Sequence, residues 1–267
     1  MKTLVSFLLF DMFLATLLVP AYAQEKISGK EIIKQSQKAF YYAGNDMKSK
    51  IEMTLINKAG KKRFREMTML RINVDGTLEQ KFYIYFHRPA DVRGTSFLVL
   101  KYPDKDDDRW LFISAIKLVK RIASSDQFSS FVGSDFTYED ISGRDLEADK
   151  YRLVKTEQIN GKSAYVVEST PISVAAYTRK ISWIDTNTFL PLKEEYYDIQ
   201  KELYKIFSAD QIEDVKGIPT IMKRSITNVK RGHRTEVLYK TAEYGLGMPN
   251  SVFTERSLRR PPLKWIK

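Results

Sequence analysis

From Ile51 to Glu243 the chain keeps returning to one pattern, a short run of alternating apolar and polar side chains closed by turn formers. Ile51, Met53 and Leu55 alternate with Glu52 and Thr54, and Asn57 to Lys62, with Gly60, reads as a turn. Phe64 to Val74 resumes as a strand, and Asp75-Gly76 is a hairpin signal. Phe82, Ile84 and Phe86 alternate with Tyr83, Tyr85 and His87. Period two belongs to a strand with one face buried, and short turns between such runs predict antiparallel neighbours. Further strands are expected at Thr95–Tyr102, Arg109–Ser114, Lys117–Ile122, Tyr151–Gln158, Ala164–Glu168 and Arg179–Asp185. The last of them fall at Leu192–Ile199, Leu203–Gln211, Thr220–Asn228 and Thr235–Glu243. The outcome is one long antiparallel sheet of about ten or eleven strands, and a sheet that long must curl or close.

Three segments break the pattern. Ser28-Gly29-Lys30-Glu31 reads as a capping box, and apolar residues at helical spacing follow it, so Gly29 to Ala43 is predicted as an amphipathic helix stopped at Gly44. Ala123 to Arg144 carries Phe128, Phe131, Phe136 and Tyr138 among turn formers. It is too long and too aromatic for a hairpin loop, and is expected to form a short helix plus a loop folded back on the sheet. Pro249 to Arg259 can form a short final helix, which Pro261-Pro262 ends.

Residues 1–23 set the compartment. Lys2, a mostly apolar run from Leu4 to Val19 and Ala21-Tyr22-Ala23 before Gln24 have the layout of a cleaved secretory signal peptide. The expected organisation is therefore a signal peptide at 1–23 and a single domain at 24–267, with no repeat, linker or boundary inside it. There is no cysteine, so no disulfide forms, and Gln24 offers nothing to lipidate. A secreted chain of this size without cysteine fits a bacterial periplasm.

The net charge of +11 sits mostly at the end: Lys216 to Lys267 holds 12 Lys and Arg against three acids. For a secreted protein this predicts anionic headgroups or an acidic protein surface as partner, through Arg259, Arg260 and Lys264, and no nucleic acid. Scattered exposed charge that serves solubility is the plainer reading.

Reactive chemistry is sparse. His87 and His233 lack the companions of a zinc site, and no GxSxG, Ser-x-x-Lys or P-loop pattern occurs. Asp104, Asp106 and Asp108 alternate like the start of a calcium loop. Arg109 and Ala115, however, stand where such a loop needs Gly and Glu, so an acidic turn is expected. The expectation is a protein without catalysis, metal or cofactor. What remains is large apolar side chains. Phe82, Phe86, Phe97, Trp110, Phe112 and Trp183 can be the ordinary core of a sandwich or can line an apolar cavity for a hydrophobic ligand. The sequence leaves both open.

The order of parts, and above all Phe131-Val132-Gly133-Ser134-Asp135-Phe136-Thr137-Tyr138-Glu139-Asp140-Ile141, resembles the LolA-like outer-membrane lipoprotein-sorting proteins. Arg93 to Leu98, Trp110-Leu111-Phe112 and Phe253-Thr254-Glu255-Arg256 are similar to other recurrent pieces of that family. The resemblance implies an α+β, mostly β fold: a single open antiparallel barrel with helices over its concave face. It implies a monomeric periplasmic carrier that shields acyl chains of a lipid or lipoprotein between membranes, with an inner-membrane transporter as a partner and transient membrane contact. On that view the six aromatic residues line the cavity, and Phe128, Phe131 and Phe136 form a mobile cover. The alternative is a sensor or adaptor on the same scaffold, with a filled interior and a protein partner.

Overall fold

The computed structural model describes residues 27–267. The expected signal peptide, 1–23, lies outside them. Helix α1 (Gly29–Tyr41) opens the fold. Strands β1 (Asp46–Ile56), β2 (Lys62–Asn73), β3 (Gln80–Arg88), β4 (Ser96–Lys101), β5 (Asp108–Ile113) and β6 (Leu118–Ile122) form a meander. A connection containing α2 (Tyr138–Ser142) leads to β7 (Asp149–Ile159), β8 (Lys162–Pro171), β9 (Arg179–Asp185) and β10 (Pro191–Tyr197). β11 (Leu203–Val215), β12 (Ile218–Asn228) and β13 (His233–Tyr244) follow, then α3 (Glu255–Arg259) and α4 (Leu263–Ile266).

All strands join one antiparallel sheet in the order β6-β5-β4-β3-β2-β1-β13-β12-β11-β10-β9-β8-β7. β13 returns to pair with β1, closing the chain's two meanders into one surface, while β6 and β7 remain open edges. The sheet has thirteen strands rather than ten or eleven. Each run read as a strand is one, and β9 has the expected bounds.

The pleat sorts the side chains. Phe82, Ile84, Phe86, Phe97, Val99 and Leu111 point to the concave face, with Met47, Met53, Met67 and Met69, in the largest core cluster. Their sequence neighbours Tyr83, Leu98, Leu70 and Ile72 point to the convex face. There they meet Met248, Val252, Phe253, Leu258 and Ile266 from the C-terminal tail. Helices therefore cover both faces: α1 and α2 the concave side, α3 and α4 the convex side. Pro261-Pro262 does end α3, but one more helical turn, α4, follows it and seals the tail.

α1 begins with only half of the expected capping box. Ser28 Oγ accepts from the Glu31 amide at 3.1 Å, but the Glu31 carboxylate accepts from Gln35 Nε2 at 2.7 Å instead. The helix stops at Tyr41, short of Ala43, because side chains of β2 and β3 take its last carbonyls. Arg71 donates to the carbonyls of Tyr41 and Ala43, Gln80 to that of Tyr41, and Asn73 to those of Tyr42 and Gly44. A guanidinium at a helix C-terminus also interacts favourably with the negative end of the helix dipole. Burial pushes Arg71 down to about 10. At its other end Ile32 and Ile33 pack on Val167 and Ile184 of β8 and β9. α1 thus spans the concave face from one arm of the sheet to the other.

The tail is tied by Asp46, which is buried and accepts from the amides of Leu246 at 2.8 Å and Met248 at 3.0 Å. Hydrogen bonds to a buried carboxylate contribute about 1.5–3 kcal/mol each. Asp46→Ala should lower unfolding stability by about 3 kcal/mol in urea titration and free the tail so that trypsin cuts after Arg256 and Arg259. Unchanged stability and an uncut tail would show that Asp46 does not hold it.

Candidate functional site

The connection between β6 and β7 crosses the concave face and supplies most of the site. Phe131 is fully buried, with its ring centroid 5.2 Å from Phe97, 5.7 Å from Tyr138 and 6.1 Å from Phe86. Phe136 is buried beside it, and Phe128 stays half-buried near the surface. The backbone that presents Phe131 is unusual: Val132 has φ +49°, a region that a β-branched residue rarely enters. Such a conformation costs about 1–3 kcal/mol and persists only where neighbours hold it.

Those neighbours are polar. An Arg65 N–H donates to the Val132 carbonyl. Asp135 Oδ2 lies 2.6 Å from His233 Nδ1 and accepts from Thr235 Oγ1 at 2.7 Å. A reciprocal capping box, Thr137 with Asp140, starts α2. Thr137-x-x-Asp140 was the signal available for it, and it passes unnoticed when only Glu or Gln is sought at the third position.

Behind this loop lies a cavity of about 90 Å³ lined by Phe40, Tyr41, Phe136, Tyr196 and Phe207 together with Glu139, Asp140, Arg144, Lys180, Glu194 and Arg224. A second, of about 40 Å³, lies beside Met47, Met69, Phe82 and Tyr239. Ligand pockets usually reach roughly 300–1,000 Å³, so neither accepts an acyl chain as it stands. The larger one is also charged, which the apolar reading of the interior did not foresee. Lys205 Nζ meets Asp140 at 2.7 Å, Lys180 meets Glu194 at 3.1 Å, and Arg144 bridges Glu139 and Asp149, both at 2.9 Å. The sequence signal was parity. Lys180 shares the inward stripe of Ser182 and Ile184, and Lys205 that of Phe207. Arg224 sits between the cavities with its guanidinium 5.2–5.5 Å from the rings of Phe40, Phe136 and Tyr239.

The aromatic residues proposed as cavity lining divide. Phe82, Phe86 and Phe97 are on the concave face, Phe82 beside the smaller cavity and the other two packed against Phe131. Trp110 and Phe112 are not in the cavity. The pleat that turns Leu111 inward turns them outward, into the cluster under the C-terminal tail. Trp183 also points outward, because Ser182 and Ile184 hold the inward positions. Its indole N–H donates to Glu157 at 2.6 Å. Arg259, Arg260 and Lys264 are all exposed, and Arg259 also donates to the Lys117 carbonyl at 2.8 Å over the Phe112 ring. Two carboxylates of the acidic turn take separate partners: Asp106 accepts from Ser124, and Asp108 pairs with Arg121.

Burial would raise the Asp140 carboxyl, but Lys205 and the bonds from Thr137 hold it below its ordinary value. Burial dominates at Glu139 and pushes it up. At Lys180 burial acts downward, yet Glu194 holds the ammonium above its usual value.

A curled open sheet, wrapped around a helix and an aromatic loop that together occupy its concave face, defines the half-barrel carrier class of fold. The comparisons agree. A family model described only as an uncharacterized protein matches residues 78–260. An outer membrane lipoprotein-sorting protein domain from Vibrio parahaemolyticus is 30% identical, with 87% of this chain and 98% of that one covered and a TM-score of 0.80. A DUF1329 family protein from Desulfovibrio piger is 29% identical over 86% of this chain and 97% of that one, also at 0.80. A LolA superfamily protein from Nitrosomonas europaea, 17% identical over 86% and 99% of the two chains at 0.67, shares the fold. No curated protein matches. The chain belongs to the LolA-like outer-membrane lipoprotein-sorting family.

Removing one partner of a buried ion pair strands the other, at about 3–5 kcal/mol. Asp140→Asn and Lys205→Met should each cost about 3 kcal/mol at neutral pH, and the double variant clearly less than their sum. Additive losses would mean that the pair is not coupled. A carboxyl depressed in the folded state stabilises above its unfolded value and loses that contribution as pH falls through its folded one. The stability gap between the parent and Asp140→Asn should therefore narrow on acidification below about pH 4. A gap that stays constant down to about pH 3 would refute the assignment.

Proposed function

We propose that this protein is a periplasmic carrier whose concave face takes up the acyl chains of a lipid or lipoprotein when the loop around Phe131 withdraws, and that it ferries this cargo between the inner and outer membranes. The observation that carries the reading is that Phe131 and Phe136 occupy the apolar concave face while polar ties at Arg65, Asp135 and Asp140 hold them there. Exposing a buried phenylalanine costs about 2–3 kcal/mol, and each buried CH₂ returns about 0.8 kcal/mol. About four CH₂ groups therefore offset each ring, and an ordinary acyl chain has CH₂ groups to spare. The methionines of the concave face, Met47, Met53, Met67 and Met69, are flexible enough to repack around a chain of varying shape. No catalytic step is part of this proposal. An inner-membrane transporter is the natural donor of such a cargo, and a soluble monomer the natural vehicle.

The filled interior favours a second reading, a sensor or adaptor that binds a protein partner on the same scaffold. Native mass spectrometry and uptake of a fluorescent fatty acid separate the two. On the carrier reading the protein binds the probe, and Arg65→Ala combined with Asp135→Ala, which unlatches the loop, raises the uptake rate by about tenfold or more. No probe binding by either form, together with a protein retained in pull-downs, would favour the adaptor.

A further inference from the structure

In an antiparallel meander alternate connections lie at one end of the sheet. Here the β1–β2, β3–β4, β5–β6, β8–β9, β10–β11 and β12–β13 connections form one rim of the half-barrel. Among the described residues ten large apolar side chains are exposed, and seven of them are on this rim. Phe64 is 63% exposed at the start of β2, and Ile116 and Leu118 flank the β5–β6 turn at 64% and 47%. Ile172 and Val174 are at 59% and 78% after β8, Ile199 at 79% after β10, and Val229 at 40% after β12. Scattered exposed apolar residues need no explanation, but their collection at one end of a molecule does.

The centre of the same rim is basic. The adjacent β1–β2 and β12–β13 turns carry Lys58, Lys61, Lys62, Arg63, Lys230 and Arg231 and no acid of their own; Lys230 is paired with Asp198 and Glu202 of the neighbouring β10–β11 turn, which leaves the other five as the basic centre. The two basic turns touch: a Cβ placed on Gly232 would lie 3.3 Å from the Lys58 side chain. The opposite rim differs in both respects. It shows Leu78 as its one exposed large apolar residue among those described, and carries the acidic turn with Asp104 and Asp106.

We propose that this rim docks the protein on an anionic lipid bilayer. The apolar side chains stand on five separate connections, with cations between them, and none of them lines the open pockets of this rim around Asp135, Lys230 and His233, so they do not form the wall of a peptide groove. Dispersed apolar tips around a cationic centre suit a soft surface that lets each tip sink between headgroups while the cations meet phosphate. The rim also holds the latch, because Arg65, His233 and Thr235 bind the loop at this end. Docking therefore brings the loop that covers the concave face to the membrane surface.

The inference deepens the carrier reading, yet it is tested without cargo, so each can fail alone. The purified protein is sedimented with vesicles of phosphatidylcholine and with vesicles of equal parts phosphatidylcholine and phosphatidylglycerol. Binding to the second only, reversed by high salt, is expected. Lys61→Glu with Lys62→Glu should weaken it by about tenfold or more. Ile116→Ser with Ile199→Ser should weaken it too, and Leu78→Ser on the opposite rim should leave it unchanged. All these positions are exposed, and thermal unfolding checks that the variants fold. The proposal is overturned if the protein ignores anionic vesicles at low salt, or if both rim variants bind like the parent. Loss of binding in Arg260→Glu with Lys264→Glu alone would assign docking to the tail instead of the rim.

Discussion

The concave face of the sheet is the constraint from which the rest follows. Thirteen strands curl into a trough whose inner wall carries Phe82, Phe86, Phe97 and four methionines, and a trough that wide is not filled by its own side chains. Something must lie in it. α1 takes one part, anchored on β8 and β9 at its start and clamped by Arg71, Asn73 and Gln80 at its end. The loop between β6 and β7 takes the other. Both edge strands carry charge that discourages edge-to-edge pairing: Lys120 and Arg121 on β6, and Lys150, Arg152 and Lys155 on β7.

The two fillers are held differently. α1 is built into the fold by apolar contact at one end and by backbone carbonyls engaged at the other. Phe131 is packed well, but it is delivered by a strained Val132 and retained by ionic and polar contacts with β2, β11 and β13. Buried ion pairs add little net stability over a well-packed apolar core, because desolvation consumes most of the attraction. They do enforce geometry, since a half-made pair is expensive. An interior held by such pairs has a sharp distinction between engaged and released, with few comfortable states between.

Period two made the strands legible, and the strand runs, the hairpin turns and the amphipathic first helix follow from local pattern alone. Which face of each strand meets the trough was harder. Trp110, Phe112 and Trp183 are large and apolar, and their size pointed inward, but the pleat sends Leu111, Ser182 and Ile184 there instead. A residue's parity relative to its own strand outranks its hydrophobicity when both faces are covered, and here the C-terminal tail covers the second face. The charges of the trough were missed for the same reason. Lys180 and Lys205 look like solvated side chains until the fold brings them to Glu194 on the neighbouring strand and to Asp140 of α2 in the crossing loop. Pairing between distant segments is not written in either segment.

The two ends of the half-barrel are unlike, and the latch is at only one of them. The acidic end has polar turns, while the basic end carries exposed apolar tips that gain nothing for the stability of the fold. A stability argument explains Phe131 buried in the trough but not Ile199 or Val174 extended into water. Side chains that cost solubility and return no packing are retained where something outside the molecule covers them. On this chain they encircle the end at which Arg65 and His233 hold the loop shut. The surface that meets a neighbour and the contacts that close the trough are thereby within reach of each other. A change at the rim can be felt by the loop through Arg65 and Thr235 directly, without a longer path through the sheet.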